Sequence, residues 1–265
     1  MSDVIFCRPR HEYESYTDYW RLVELSDYPI IYIDEIDPQS DNTYLVTPLN
    51  GEWQDGWQDP RAQIILWDLE WHLPNPGIAE WNETVWRPGV ARVFASDKWY
   101  AEKIDAEYVL LGSHPGLAYG EEAQKIYDIA LMAYLGPPRR SSIVYQLKQL
   151  GLSIAANAWG DNRDGILRRS RTMLHIHQHD DVATVAPQRW ALAAAYELPL
   201  ITEGVEDSGL FDFTHVLSMN YSNLASMAHR FIKQQNPRVL EDKAKALHQF
   251  LCVEHTFRKC VEAAL

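Results

Sequence analysis

Four sets of residues in this 265-residue chain have types and spacings that could do chemistry. The first is Arg189, in the opening turn of "APQRWALAAAYE", with Glu203 and Asp207 after it in "LPLITEGVED". A small-residue core helix needs no arginine. At a helix N-terminus, unpaired N–H groups and the positive dipole end favour an anion, and a guanidinium fork adds bidentate hydrogen bonds to a phosphate. A carboxylate just past the carboxyl end of a strand can accept the hydroxyls of a ribose. The plain alternatives are an exposed arginine and an ordinary polar loop.

The second set is "HIHQHDD", with His175, His177, His179, Asp180 and Asp181. On a strand the three histidines share one face. Such a face could hold a metal, but no further His or Asp set stands at ligand spacing. The expected role is a histidine donating to a phosphate, His177 foremost, with no metal. The third set is the arginines of "GPPRRSS" (Arg139, Arg140) and "NRDGILRRSR" (Arg163, Arg168, Arg169, Arg171). Clustered arginines suit a small anionic ligand. The fourth is "IILWDLEWH", where Asp68, Glu70 and His72 alternate and so point the same way on an extended chain. A poorly solvated carboxylate among Trp67, Trp71 and Trp81 has a raised pKa, as a base for a hydroxyl requires. Solvated loop acids are the alternative. His114, in Ser113-His114-Pro115-Gly116, is either a turn residue or a cleft-lining one.

Elements must position these groups. From Asp128 the pattern alternates: "DIALMAYL", "LSIAANA", "TMLHIHQ", "LPLIT" and "THVLSM" read as strands. Between and after them, "PPRRSSIVYQLKQLG", "NRDGILRRSR", "PQRWALAAAYE" and "YSNLASMAHRFIKQQ" read as helices. That alternation predicts βαβ units in a parallel sheet. Earlier strands are "VIFC", "PIIYID", "TYLVTP", "QIILWDLE", "VARVFAS" and "YVLLG"; helices are harder to place there. The expected fold is α/β with two Rossmann-like domains and a ligand cleft between them. Residues 1–115 form the first domain and 116–238 the second. Residues 239–265 form a C-terminal helix packing back on the first domain.

Charge divides the same way. Residues 1–115 carry 21 acidic and 8 basic side chains, and residues 116–265 carry 16 of each. The first half would repel a polyanion. No apolar run approaches the roughly 20 residues of a membrane span, and no signal peptide is seen. Three cysteines without metal spacing predict reduced thiols and a cytoplasmic protein. The absence of GxGxxG after a strand, GxxxxGK[ST] and GxSxG argues against a Rossmann dehydrogenase, a P-loop NTPase and an α/β-hydrolase.

Taken in order from about Gln63 to Ile232, these segments resemble sugar-nucleotide-dependent glycosyltransferases of the two-Rossmann-domain (GT-B) type. The likeness is to compact bacterial and phage members related to families 1 and 4. "IILWDLEWH" resembles the strand that delivers an acid to the cleft, and "VARVFASDKWYAEKIDAEYVLLGSHPGL" the exit from the first domain. "YDIALMAYLGPPRRSSIVYQLKQLG", "WGDNRDGILRRSRTMLHIHQHDD" and "PQRWALAAAYELPLITEGVED" resemble the donor-binding core. The resemblance implies a metal-independent hexosyltransferase. Arg189 would contact the diphosphate of a nucleotide sugar, UDP-linked by preference, and Glu203 or a nearby acid would hold its ribose. Arg139, Arg140, Arg163, His177, His114 and Asp207 are the further donor-side candidates. Glu70, supported by Asp68 or His72, would deprotonate the acceptor hydroxyl. Leu192 stands where many relatives carry a glutamate. The preferred acceptor is a saccharide or small molecule. A hydroxylated base in phage DNA is an alternative that the acidic first half disfavours. An epimerase-like or non-catalytic nucleotide-sugar-binding protein is another.

Overall fold

The computed structural model describes residues 3–10, 17–47, 57–69, 88–121, 123–158, 160–177, 186–204, 214–234 and 237–265. It divides into two compact units, Met1–Leu111 with Cys260–Leu265, and Gly112–Lys259.

The first unit contains β1 (Val4–Arg8), α1 (Thr17–Leu25), β2 (Ile30–Tyr32), β3 (Thr43–Val46), β4 (Gln63–Asp68), β5 (Val90–Ala95), α2 (Lys98–Lys103) and β6 (Glu107–Tyr108). Its sheet runs β2-β1-β3-β4-β5-β6, parallel at every pairing. A parallel sheet is covered on both faces, so its strands read as apolar runs. On β4, Ile64 and Leu66 join Val46, Val93, Ala95 and Tyr100 on one side. Trp67 meets the rings of Phe6, Tyr19 and Phe94, and its indole N–H donates to Ser96 Oγ at 2.8 Å. Trp67 is therefore core. The other tryptophans near the acid strand, Trp71 and Trp81, lie outside the described residues.

The second unit contains β7 (Ile129–Leu131), α3 (Pro138–Gln149), β8 (Ile154–Ala156), α4 (Gly160–Arg168), β9 (Met173–His175), α5 (Pro187–Ala195), β10 (Leu200–Glu203), β11 (Leu217–Met219), α6 (Leu224–Lys233) and α7 (Pro237–His248). A π-helical turn, Gln249–Glu254, and α8 (Phe257–Ala264) follow. The sheet runs β11-β10-β9-β7-β8, again parallel. Counted from its own first strand, the first sheet has the doubly wound order 2-1-3-4-5-6 and the second 2-1-3-4-5. Such a sheet has a switch point, here between β7 and β9, where the chain turns to opposite sides and a crevice opens at the carboxyl ends.

Several details set this frame. Asp128, entering β7, accepts from Ser153 N–H at 2.9 Å and Lys233 Nζ at 2.8 Å, tying β7 to the start of β8 and the end of α6. Burial alone would raise its pKa, but these bonds outweigh it and hold the carboxyl below its ordinary value. Helix α5 is buried around its circumference, with Trp190 and Ala191 to Ala195 all inside. Its alanines let α7 and the π-helical turn close against it. Ser113 Oγ donates to Ala191 O at 2.7 Å, and His248 Nδ1 lies 2.9 Å from Ala194 O.

The segment 239–265, expected as one helix on the first domain, is interrupted by the π turn. Leu240 of α7 packs on the second unit's core, while Cys260–Leu265 count with the first unit. The boundary between the units falls at Leu111/Gly112. Gly112 has φ +67°, and a Cβ there would stand 2.8 Å from Phe257 N. No helix among the described residues is long and apolar enough to cross a membrane.

Candidate functional site

Of the polar residues that the sequence singles out, Arg139, Arg140, His175, His177, Arg189 and Glu203 gather at the carboxyl ends of β7, β9 and β10. β9 ends at His175, and its alternation persists for two more residues. Leu174 and Ile176 enter the apolar core. His175 and His177 share the other side, with ring centroids 5.3 Å apart. Arg189, in the first turn of α5, reaches across the switch point. Its Nε donates to the carbonyl of Met132, just past β7, at 2.9 Å. Its Nη1 lies 3.0 Å from His175 Nδ1. A guanidinium only donates, so Nδ1 accepts and the His175 ring is the neutral tautomer with its proton on Nε2. Arg189 is thus fixed by two bonds that span β7 and β9.

Glu203 ends β10 and is buried. One carboxylate oxygen takes the backbone N–H of His177 at 3.1 Å. The other accepts from Nη2 of Arg139. That guanidinium lies over the Tyr221 ring, 3.8 Å from its centroid, and the Tyr221 hydroxyl donates to the Arg139 carbonyl at 3.0 Å. Planar stacking and a fork of donors make arginine fit this place better than lysine would. Arg139 and Glu203 therefore neutralise one another across the ends of β7–α3 and β10.

Arg140 is turned away from that pair. Its Nε donates to Ile176 O at 3.1 Å and its Nη1 to Tyr134 O at 3.2 Å. Burial pulls its pKa down to about 10. It clamps the loop after β7 to the end of β9. Arg163 is buried on α4 at 3.5 Å from Asp164, whose carboxylate also takes the Tyr196 hydroxyl at 2.7 Å. This is the geometry of a packing arginine. His114 caps a turn, its Nδ1 accepting from Gly116 N–H at 3.0 Å. Of its two sequence readings, the structure displays the turn.

In the first unit Asp68 ends β4, buried, and accepts from the Tyr100 hydroxyl at 2.9 Å. Glu70, His72, Asp207, His179, Asp180 and Asp181 lie outside the described residues. Among the described residues no group of three or more His, Cys, Asp or Glu is placed to hold a metal. Sequence reasoning missed Tyr221 and the Met132 carbonyl. A backbone carbonyl leaves no trace in a sequence. The tyrosine directly after "SMN" could have been marked as an aromatic beyond a strand end.

The arrangement offers cationic forks, a ring N–H and a helix N-terminus around one carboxylate at a doubly wound switch point. That set can hold a diphosphate and a vicinal diol together.

No protein-family model matches the chain. An uncharacterized protein of Acanthamoeba polyphaga mimivirus, L140, is 31% identical over 91 residues, which is 32% of this chain and 29% of that one. Among solved structures, AviGT4, a glycosyltransferase involved in avilamycin A biosynthesis, superposes with a TM-score of 0.62 at 10% identity, covering 100% of this chain and 96% of its own. The T4 phage β-glucosyltransferase superposes at 0.56 and 11% identity, with 100% and 99% covered. TarM gives 0.54 at 8% identity, and the match spans 88% of this chain but only 55% of that enzyme. At such identities the likeness is one of fold: two Rossmann-like α/β units, as in these GT-B glycosyltransferases.

Proposed function

We propose that the chain is a glycosyltransferase that moves a hexose from a nucleotide sugar to an acceptor hydroxyl. The observation that carries this is the cluster of Arg139, His175, His177, Arg189 and Glu203 at the switch point of the second sheet. It stands in a fold shared at nearly full length with two glycosyltransferases. One of them, the T4 phage enzyme, is known in complex with UDP-glucose, which supports a UDP-linked donor here. The diphosphate would lie against Arg189 and the start of α5, and the ribose hydroxyls on Glu203. The sugar's anomeric carbon is attacked by the acceptor oxygen while the bond to the diphosphate breaks. Arginines and helix N–H groups, rather than a metal, take up the charge that develops on the leaving group. The acceptor proton passes to an acid of the first unit, Glu70 by preference.

A saccharide or other small hydroxyl compound is the preferred acceptor. A hydroxylated base in DNA is the second reading. The full-length superposition on the T4 phage enzyme favours it, and the excess of acid in residues 1–115 opposes it. Cys7, Cys252 and Cys260 are buried and in no disulfide, which supports a reducing, cytoplasmic setting.

A thermal-shift screen of nucleotide sugars tests the proposal. A true donor at about 100 times its Kd adds roughly 2.7 kcal/mol of stability. Release of free nucleotide on adding acceptor then establishes transfer. A chain stabilised by no nucleotide sugar is not this enzyme.

A further inference from the structure

The loop from Met132 to Pro137 leaves the carboxyl end of β7 at the switch point and leads into α3. Its Tyr134 is 64% exposed. Two other described tyrosines are as open, Tyr119 and Tyr145. Tyr145 lies within α3, and Tyr119 lies beside Arg168 on the linker before β7. Tyr134 alone of the three follows the carboxyl end of a strand.

Its ring is uncovered, and the backbone that carries it is held. The Tyr134 carbonyl takes Nη1 of Arg140, the guanidinium that also grips Ile176 O beyond β9. Gly136 supplies the space the ring occupies: a Cβ there would overlap Cε1, Cζ and the hydroxyl of Tyr134. Pro137 and Pro138 then fix two successive φ angles. A ring carried on a fixed backbone has only its own side-chain torsions left to order on binding. Its negative π face suits a ligand that presents C–H bonds. The hexose ring has such a face. Met132, two residues earlier, is bonded to Arg189, the residue assigned to the diphosphate.

We propose that Tyr134 is the platform on which the hexose of the donor stacks, with Gly136 as its positioning residue. The inference rests on the donor reading above and goes beyond it, to how the site tells a nucleotide sugar from a bare nucleotide.

Calorimetric titration tests it, using UDP-glucose, UDP-N-acetylglucosamine, dTDP-glucose and GDP-mannose, each beside its bare diphosphate. Tyr134→Ala should weaken the sugar nucleotide that binds the wild-type chain by about tenfold, the scale of one good aromatic contact. Affinity for the bare diphosphate should stay within about twofold of wild type. Tyr134→Phe should keep wild-type affinity. Gly136→Ala, which must swing the exposed ring aside without touching the core, should behave like Tyr134→Ala. Unchanged sugar-nucleotide affinity in Tyr134→Ala overturns the proposal, and so does an equal loss for the bare diphosphate. If no sugar nucleotide binds the wild-type chain, the donor reading itself falls, and this inference with it.

Discussion

Replacing Glu203 by glutamine keeps the shape of the side chain and removes its charge, so it isolates the pair that closes the candidate site. The carboxylate accepts on both oxygens: from Arg139 on one, and from the His177 N–H at 3.1 Å on the other. An amide has one acceptor oxygen and one donating nitrogen. Turned either way, its NH₂ must face another donor. The side chains are 7% and 16% exposed, so water restores little of what is lost. One charge-assisted hydrogen bond contributes about 1.5–3 kcal/mol, and a guanidinium left beside a neutral amide adds to the loss. The expected destabilisation is about 2–3 kcal/mol, which lowers Tm by roughly 4–12 °C for a unit of this size. Urea denaturation of the wild type, Glu203→Gln, Arg139→Met and the double variant measures it. The double variant should cost clearly less than the two single ones added, because each single change strands the partner that the other one removes. A Glu203→Gln chain within about 0.5 kcal/mol of wild type, an ordinary surface effect, would refute the reasoning.

Other outcomes follow from the same contacts. Arg189→Ala should weaken nucleotide binding by about 1.5–3 kcal/mol in calorimetry, and should free His175 Nδ1, which nitrogen-15 spectra of the imidazole would show as a change in tautomer population. Glu70→Gln should lower turnover by roughly 10²–10⁴, the worth of a general base, with donor affinity little changed; loss of donor affinity instead would make Glu70 a ligand of the nucleotide sugar. Turnover should survive EDTA, and loss restored by one metal would contradict the arginine-based account. Because the Asp128 carboxyl is held below its ordinary value in the folded chain, its contribution to stability should be full above about pH 4 and fade as pH falls through the folded value. Lys233→Met should shrink that acid-side loss in pH-dependent urea titrations.

Strands of the second unit were legible because a covered parallel strand is a short apolar run, and "DIALMAYL" or "LPLIT" can be little else. Their lengths were not. The run beginning at Asp128 yields only Ile129–Leu131 as ladder, because the next residues leave the sheet at the switch point to build the loop that holds Tyr134. "YVLLG" gives only a two-residue pairing, Glu107–Tyr108, one residue earlier. Val109 and Leu111 are buried all the same, so their hydrophobicity reflects packing of an irregular exit. The C-terminal segment has the spacing of a single helix. Its interruption at Gln249–Glu254 comes from neighbours that periodicity does not report: Ser113 N–H bonds the Leu251 carbonyl at 3.1 Å, and the Ser113 carbonyl takes the Phe257 N–H at 2.9 Å.

Residue type located the candidate site better than it assigned roles within it. A helix-start arginine and a strand-end glutamate both fall at the switch point, because the doubly wound order turns those sequence positions into neighbours in space. Which arginine meets which partner depends on contacts between residues 57 and 64 positions apart, and local spacing is silent at that range. Arg139 and Arg140 are adjacent and chemically identical in sequence. The roughly 100° between successive helix positions separates their fates, so that Arg139 faces Glu203 and Tyr221 while Arg140 is buried against two carbonyls. The same logic recasts Arg189. Its Nε–H and one Nη1–H are committed to Met132 and His175 before any ligand arrives. A guanidinium anchored by two such bonds does not have to be ordered by its ligand. That is a reason for arginine rather than lysine in the first turn of α5, and it makes Arg189→Lys a sharper probe than alanine. Lysine keeps the charge but cannot bond Met132, His175 and a phosphate along one rigid plane. Arg189→Lys should therefore recover only a minor part of the binding lost in Arg189→Ala. Full recovery would mean that charge alone, and not the anchored fork, holds the anion.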